Sequence, residues 1–165
     1  MKTDEIKVLD VLEQHAKENI DELAKKCGFS RQKLWRIIKQ LEAEKRIWGY
    51  SGVTNAEEYG LKEFVLLVKR KTVPFDESFK KELIFDKLDY YCQDVKIENI
   101  YLTHGLYDGI VTFYAPNLLS AKKLIDQINS KIGKYFEQML LLETLFMLRK
   151  QGMKNPHTKK LIELF

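Results

Sequence analysis

Only Gly28, Phe29 and Ser30 separate a pair of helical patterns in the stretch "NIDELAKKCGFSRQKLWRIIKQLEAE", and that short junction constrains the fold more than any other feature of the chain. In the first pattern Asn19 is placed to cap, Glu22 follows three residues on as in a capping box, and Leu23, Ala24 and Cys27 form a narrow apolar stripe. Gly28 supplies the turn that ends it. Ser30 is placed to cap the second pattern, which runs to about Glu44 with Leu34, Ile37, Ile38 and Leu41 on one arc. Two helices joined so tightly must cross steeply, which is the geometry of a helix-turn-helix.

The flanks complete a small unit. "TDEIKVLDVLEQHA" is read as a preceding helix, with Thr3 as N-cap, Asp4 and Glu5 in the first turn and Ile6, Leu9 and Leu12 on one face. "RIWGYSGVTN", with Gly49 and Gly52, is expected to form a small hairpin or wing. This places a winged helix-turn-helix over 1–55, with 56–61 as linker.

Beyond the linker the periodicity changes. "KEFVLLVKRKT", "VKIENIYLTHG", "LYDGIVTFYA" and "YFEQMLLLETLFMLRK" are rich in β-branched and aromatic residues and read as strands. "PNLLSAKKLIDQINSKIG" is helical, with Asn117 as cap, Gly133 as stop and Leu118, Ala121, Ile125, Ile128 and Ile132 recurring at helical spacing. "FDESFKKELIFDKLDYYCQD" is read as a second helix, around Ile84, with no face resolved. The order β-α-β-β-α-β over 62–150 is a ferredoxin-like split βαβ, so the fold class expected is α+β in two domains, with 151–165 as a tail read as a surface helix. Two helices cover one face of a four-stranded sheet, yet these strands are apolar on both faces, so a second copy packed sheet to sheet is expected on the other.

Charge distribution narrows the function. The formal net charge of the 165-residue chain is +4. Lys25 to Arg46 alone holds eight basic residues against two acidic ones, so this one segment exceeds the excess of the whole protein. Cys27 and Cys92 stand far apart without a CxxC or Cys/His cluster, which argues against a disulfide scaffold and a zinc site and fits a reducing cytoplasm. The N-terminus lacks the apolar run of a signal peptide and no apolar stretch reaches membrane-spanning length, so neither secretion nor a membrane partner is expected. No cofactor motif, metal-ligand spacing or nucleophile elbow is found.

Gln32, Arg36 and Lys39 occupy the arc opposite the apolar positions of the third helix, with Arg31 near its start. A merely solvated helix presents such a face too. A recognition helix in the major groove uses it to meet bases and phosphates of double-stranded DNA. Arg pairs with guanine and Gln with adenine through two hydrogen bonds, so Arg31, Gln32 and Arg36 are the candidates for reading sequence. Lys33, Lys39, Lys45 and Arg46 are the candidates for phosphate, and Ser30 caps the helix with its hydroxyl near the backbone of a duplex. Trp35 lies at the boundary of the two faces.

Taken together, "DELAKKCGFSRQKLWRIIKQLEAEKRIWGY" and "GLYDG" resemble the Lrp/AsnC family of transcriptional regulators, over about Asp4 to Arg149. The first stretch is similar to the family's E-L-A, G-x-S, recognition helix, L-E and I-x-G-Y; the second is similar to its G-x-Y-D turn. The resemblance implies a dimer or higher homo-oligomer and a small-molecule effector, such as an amino acid, at a turn made by His104, Gly105, Tyr107 and Asp108. The bland reading of that turn is a tight loop in which Asp108 bonds local backbone. This chain departs from the family pattern at Lys45 and Arg46, where Gly and an apolar residue are usual, and at His104, where Thr is common. Some proteins of the same two-domain form are sirohaem decarboxylases, and His104 keeps that enzymatic alternative open beside the regulator reading.

Overall fold

The computed structural model describes residues 3–84 and 87–158, with no side-chain detail at 82–84, 87 and 89. It divides into two compact units at Gly52/Val53.

The first unit contains α1 (Thr3–His15), α2 (Ile20–Cys27) and α3 (Arg31–Ala43). Local signals set their ends. Asn19 Oδ1 accepts from the amides of Asp21 and Glu22, both at 3.0 Å, satisfying two donors that the first turn of a helix leaves free. Gly28 closes α2 in the left-handed region at φ 64°, where a side chain would be strained. Ser30 Oγ accepts from the Lys33 amide at 3.2 Å. The core is Val8, Leu12, Leu23, Ala24, Cys27, Leu34, Ile37 and Leu41. Burying each large aliphatic side chain here contributes about 1.5–3 kcal/mol. Burial also pushes the Cys27 thiol up, so it packs as a small apolar group.

Two expectations fail in this unit. α1 buries Glu5, Val8 and Leu12, with Leu9 half-buried, while Ile6 is exposed. The buried arc is therefore rotated toward Glu5, whose charge is met by Arg46. No strand forms between Arg46 and Asn55, so the segment expected to form a hairpin or wing holds no β-hairpin. Gly49 and Gly52 there have no atom within 4 Å of an ideal Cβ, so nothing packs on them to hold a turn.

The second unit contains β1 (Lys62–Arg70), α4 (Glu77–Ile84), β2 (Lys96–Leu102), β3 (Gly109–Ala115), α5 (Leu118–Ile132) and β4 (Phe136–Glu143), entered by a 3-10 turn at Ala56–Tyr59. The sheet order is β2-β3-β1-β4, all neighbours antiparallel, which is the split βαβ arrangement. Phe64, Leu66 and Val68 face Phe113 and Val111 on the inner side, where Leu124, Ile128 and Ile132 of α5 cover them. The Phe64 and Phe113 rings, cross-strand partners, stack 5.7 Å apart. Asn117 caps α5 through the Ser120 amide at 2.9 Å. Its buried face runs through Ala121, Leu124, Ile128 and Ile132; Leu118, expected in that stripe, is exposed.

The outer face of the sheet lacks this cover. Val65 pairs with Leu142 and Thr112, and Leu67 with Leu140 and Ile110. Leu140 and Leu142 are 37% and 44% exposed. β1 thus alternates between buried and half-buried residues because only one side of the sheet has helices.

Past β4 the expected tail helix is replaced, where described, by a hairpin of β5 (Arg149–Lys150) and β6 (Met153–Lys154). Gln151 and Gly152 turn it at φ 46° and 80°, both in the left-handed region that a two-residue hairpin demands. Residues 159–165 lie outside the described residues.

Candidate nucleic-acid interface and effector turn

α3 presents its basic residues because its apolar spacing buries Leu34, Ile37 and Leu41. At about 100° per residue the opposite pole falls at Gln32 and Lys39, flanked by Arg36 and Trp35. All four are exposed, with Trp35 at 55%. Trp35 therefore belongs to the outward face, where sequence alone set it on the boundary.

The eight polar positions expected to meet DNA divide by what the fold already asks of them. Gln32, Arg36 and Lys45 make no side-chain hydrogen bond or ion pair with any described residue. Arg31 reaches Asp21 at 3.5 Å, with both side chains more than half exposed. Lys39 is 2.8 Å from Glu42, which also accepts from the Tyr50 hydroxyl at 3.1 Å. Those two hydrogen bonds, Lys39 first, hold the Glu42 carboxyl below its usual value. Ser30 serves as cap.

Lys33 and Arg46 are engaged internally. Lys33 Nζ lies 2.7 Å from Asp4 and 3.9 Å from the centre of the Phe29 ring. Arg46 Nη1 is 2.9 Å from the buried Glu5 and 3.6 Å from Glu44. The hydrogen bond that Arg46 donates to Glu5 raises the Arg46 pKa further, so its charge is permanent. Lys45 stands at φ 57°, its amide donating to Glu42 O at 3.1 Å while the Arg46 amide donates to Leu41 O at 2.9 Å. This is the Schellman termination, normally built on glycine, carried here by a lysine.

The turn from Thr103 to Asp108 is closed by its own bonds. The Thr103 hydroxyl donates to Tyr107 O at 2.6 Å, and the Thr103 amide donates to Asp108 O at 2.9 Å. Asp108 Oδ2 accepts from the Arg70 amide at 2.9 Å, where β1 shifts register, and the Asp108 amide donates to Val68 O at 2.9 Å. Asp108 therefore ties the turn to a distant strand, not to local backbone. His104 and Gly105 are exposed, with Gly105 at φ 154°, and Tyr107 is half-buried. Among the described residues, no group of three or more His, Cys, Asp and Glu is placed to hold a metal ion. No described helix is long and apolar enough to cross a membrane.

Residues 5–47 match the family model described as winged helix-turn-helix DNA-binding. Solved structures match nearly the whole chain. An AsnC family transcriptional regulator from Agrobacterium tumefaciens superposes with TM-score 0.70 at 18% identity, covering 91% of this chain and 94% of that one. The leucine response regulatory protein LrpA of Mycobacterium tuberculosis gives 0.71 at 16%, covering 94% and 100%. A transcriptional regulator from Neisseria meningitidis, solved as an L-Met complex, gives 0.70 at 15%, covering 95% and 98%. No curated protein sequence matches the chain. The chain thus has the two-domain fold seen in AsnC- and Lrp-type transcriptional regulators, and its residues 5–47 are similar to winged helix-turn-helix DNA-binding segments.

Proposed function

We propose that this protein is a sequence-specific, DNA-binding transcriptional regulator that acts in the cytoplasm as a homodimer or larger assembly and by binding, not catalysis. The observation that carries this reading is the outward face of α3. Gln32 and Arg36 stand there free of internal partners, on a helix whose segment matches a DNA-binding family model. Arg31, Gln32 and Arg36 are assigned to base edges. Lys39 and Lys45 are assigned to phosphate, together with Ser30, while Lys33 and Arg46 add positive potential from positions held by Asp4 and Glu5.

The uncovered outer face of the sheet supports the homodimer. Val65, Leu67, Ile110, Leu140 and Leu142 form one apolar patch across three paired strands, which a second copy buries around a two-fold axis. Two-fold symmetry then repeats the recognition helix, so the DNA site is a pseudo-palindrome with half-sites separated by whole turns, about 10 base pairs each. The turn of His104, Gly105, Tyr107 and Asp108 is the proposed effector contact, with a small molecule such as an amino acid as ligand. The L-Met in the Neisseria structure supports that chemistry.

Titrating the protein into a duplex from its own upstream region, with random duplex as control, tests the reading. Selective binding that weakens steeply as salt rises is expected. Equal, weak binding to both duplexes at low salt overturns it.

A further inference from the structure

Within the C-terminal unit, a cavity of about 350 Å³ opens between the segment Val53–Glu57 and the chain that crosses back from β4. Leu61, Leu145, Met147 and Met153 give it apolar walls. Its polar floor is built from the outer side of the sheet, where Glu63 and Tyr114 are cross-strand partners. Lys150, on the hairpin, reaches down to this floor. Its Nζ donates to the Tyr114 hydroxyl at 2.8 Å and lies 2.8 Å from Glu98, with both ion-pair side chains under 20% exposed.

At the rim of this cavity the exposed Glu57 and Lys154 form no ion pair with any described residue. Lys62 is committed to Glu143, 2.6 Å away, and Lys150 to Glu98. Glu63 is half-buried, hydrogen-bonded by the Thr144 side chain, and forms no ion pair with any described residue. Burial raises its carboxyl pKa and outweighs the opposing pull of the Lys150 charge. A half-buried anion beside aliphatic walls is complementary to a cation that carries hydrocarbon.

We propose that this cavity binds a small organic ammonium with an aliphatic body, its charge meeting Glu63 and its hydrocarbon packing among Leu61, Leu145, Met147 and Met153. The site is separate from the effector turn, since His104, Gly105, Tyr107 and Asp108 do not line it. It does not depend on the DNA-binding reading. Val53 to Glu57 form one wall directly after the boundary at Gly52, so an occupant touches the segment through which the chain leaves the DNA-binding unit.

Calorimetric titration of the full-length protein with isoamylamine, and with isoamyl alcohol as its neutral counterpart, tests the proposal. A ligand this small is expected to bind with Kd of about 1 mM. Loss of a charge-assisted contact is expected to weaken the amine roughly tenfold in Glu63→Gln, and the alcohol is expected to bind the wild type weaker by a similar factor. Backbone NMR of the wild type adds a readout that needs no variant. The amine is expected to shift the amide of Thr144, which donates to Glu63 O at 2.9 Å, and to leave Gly105 and Tyr107 unmoved. The proposal is overturned by absence of saturation at roughly 20-fold the expected Kd, by equal binding of amine and alcohol, by unchanged affinity in Glu63→Gln, or by shifts confined to the effector turn.

Discussion

Arg46 Nη1 lies 2.9 Å from Oε2 of the buried Glu5, joining the loop after α3 to the first turn of α1 across 41 residues of sequence. Removing the guanidinium takes an ion-pair partner at 2.9 Å from a carboxylate that is only about one-tenth exposed, which costs more than loss of an exposed pair. Arg46→Ala is therefore expected to lower the unfolding midpoint of the N-terminal unit, followed by circular dichroism. Arg36→Ala, which removes no internal contact, is expected to leave it unchanged. Equal midpoints for the two variants contradict this division between holding the fold and reading DNA.

Under the proposed function Arg36 is assigned to base edges and Lys39 to phosphate. Arg36→Ala is expected to cost about 1–3 kcal/mol on the specific site and less on random duplex. Lys39→Ala is expected to weaken both similarly and to reduce the salt dependence by about one charge. Binding isotherms at three salt concentrations on both duplexes decide it; matched losses for the two variants would sink the assignment.

Lys45 holds a left-handed conformation that costs an L-residue with a side chain about 1 kcal/mol. Lys45→Gly is expected to recover that amount in urea unfolding while making DNA binding weaker and less salt-dependent, because one phosphate contact is lost. Stability and affinity thus move in opposite directions. A variant that neither gains stability nor loses affinity speaks against both roles.

Leu142 and Leu140 sit on the uncovered face beside Val65 and Leu67. Leu142→Asp places a charge in the proposed interface yet at an exposed position, so the monomer is expected to fold and light scattering to show the assembly lost. Leu66→Ala, on the buried face, is expected to cost about 2–5 kcal/mol of stability without acting on assembly directly. A Leu142→Asp protein that keeps the wild-type mass would remove this face as the dimer contact.

What the sequence discloses here follows the range of each interaction. Asn19, Ser30 and Asn117 cap helices as expected because a cap needs only the next two or three residues, and Gly28 ends α2 through its own φ. The order of strands and helices along the chain was legible from the β-branched and aromatic runs and from the helical spacing of the α5 residues. The engagement of Lys33 by Asp4 and of Arg46 by Glu5 was not, since each pair spans more than 25 residues and both cations look free in the local pattern. Asp108 misled for the same reason, its partner being Arg70 on another strand. The tail hairpin turns on Gln151, a residue without the usual left-handed preference, so its signal was absent from composition. The hairpin in the wing segment was over-read because two glycines mark a bend without supplying a strand for either side to pair with.

Glu63 carries a pH signature that links the cavity to stability. Its carboxyl pKa is raised in the folded state, chiefly by burial and further by Glu98, against opposing effects from Lys150 and the Thr144 hydrogen bond. A carboxyl whose folded pKa exceeds its unfolded value binds its proton more tightly when folded. Its contribution to stability is then complete below the unfolded value, about 4.3 for Glu, and is lost as pH rises through the raised folded value. At neutral pH the ionised Glu63 therefore opposes folding, and Glu63→Gln, which keeps the shape without the charge, is expected to be the more stable protein. The advantage is expected to shrink as pH falls and to vanish below about 4. Thermal unfolding of both proteins from pH 4 to pH 8 measures it, and a pH-independent difference would mean that packing, not the buried charge, sets the effect. Saturating isoamylamine is expected to narrow or reverse the order at neutral pH, because the ammonium binds the ionised Glu63 of the wild type more tightly than it binds the variant.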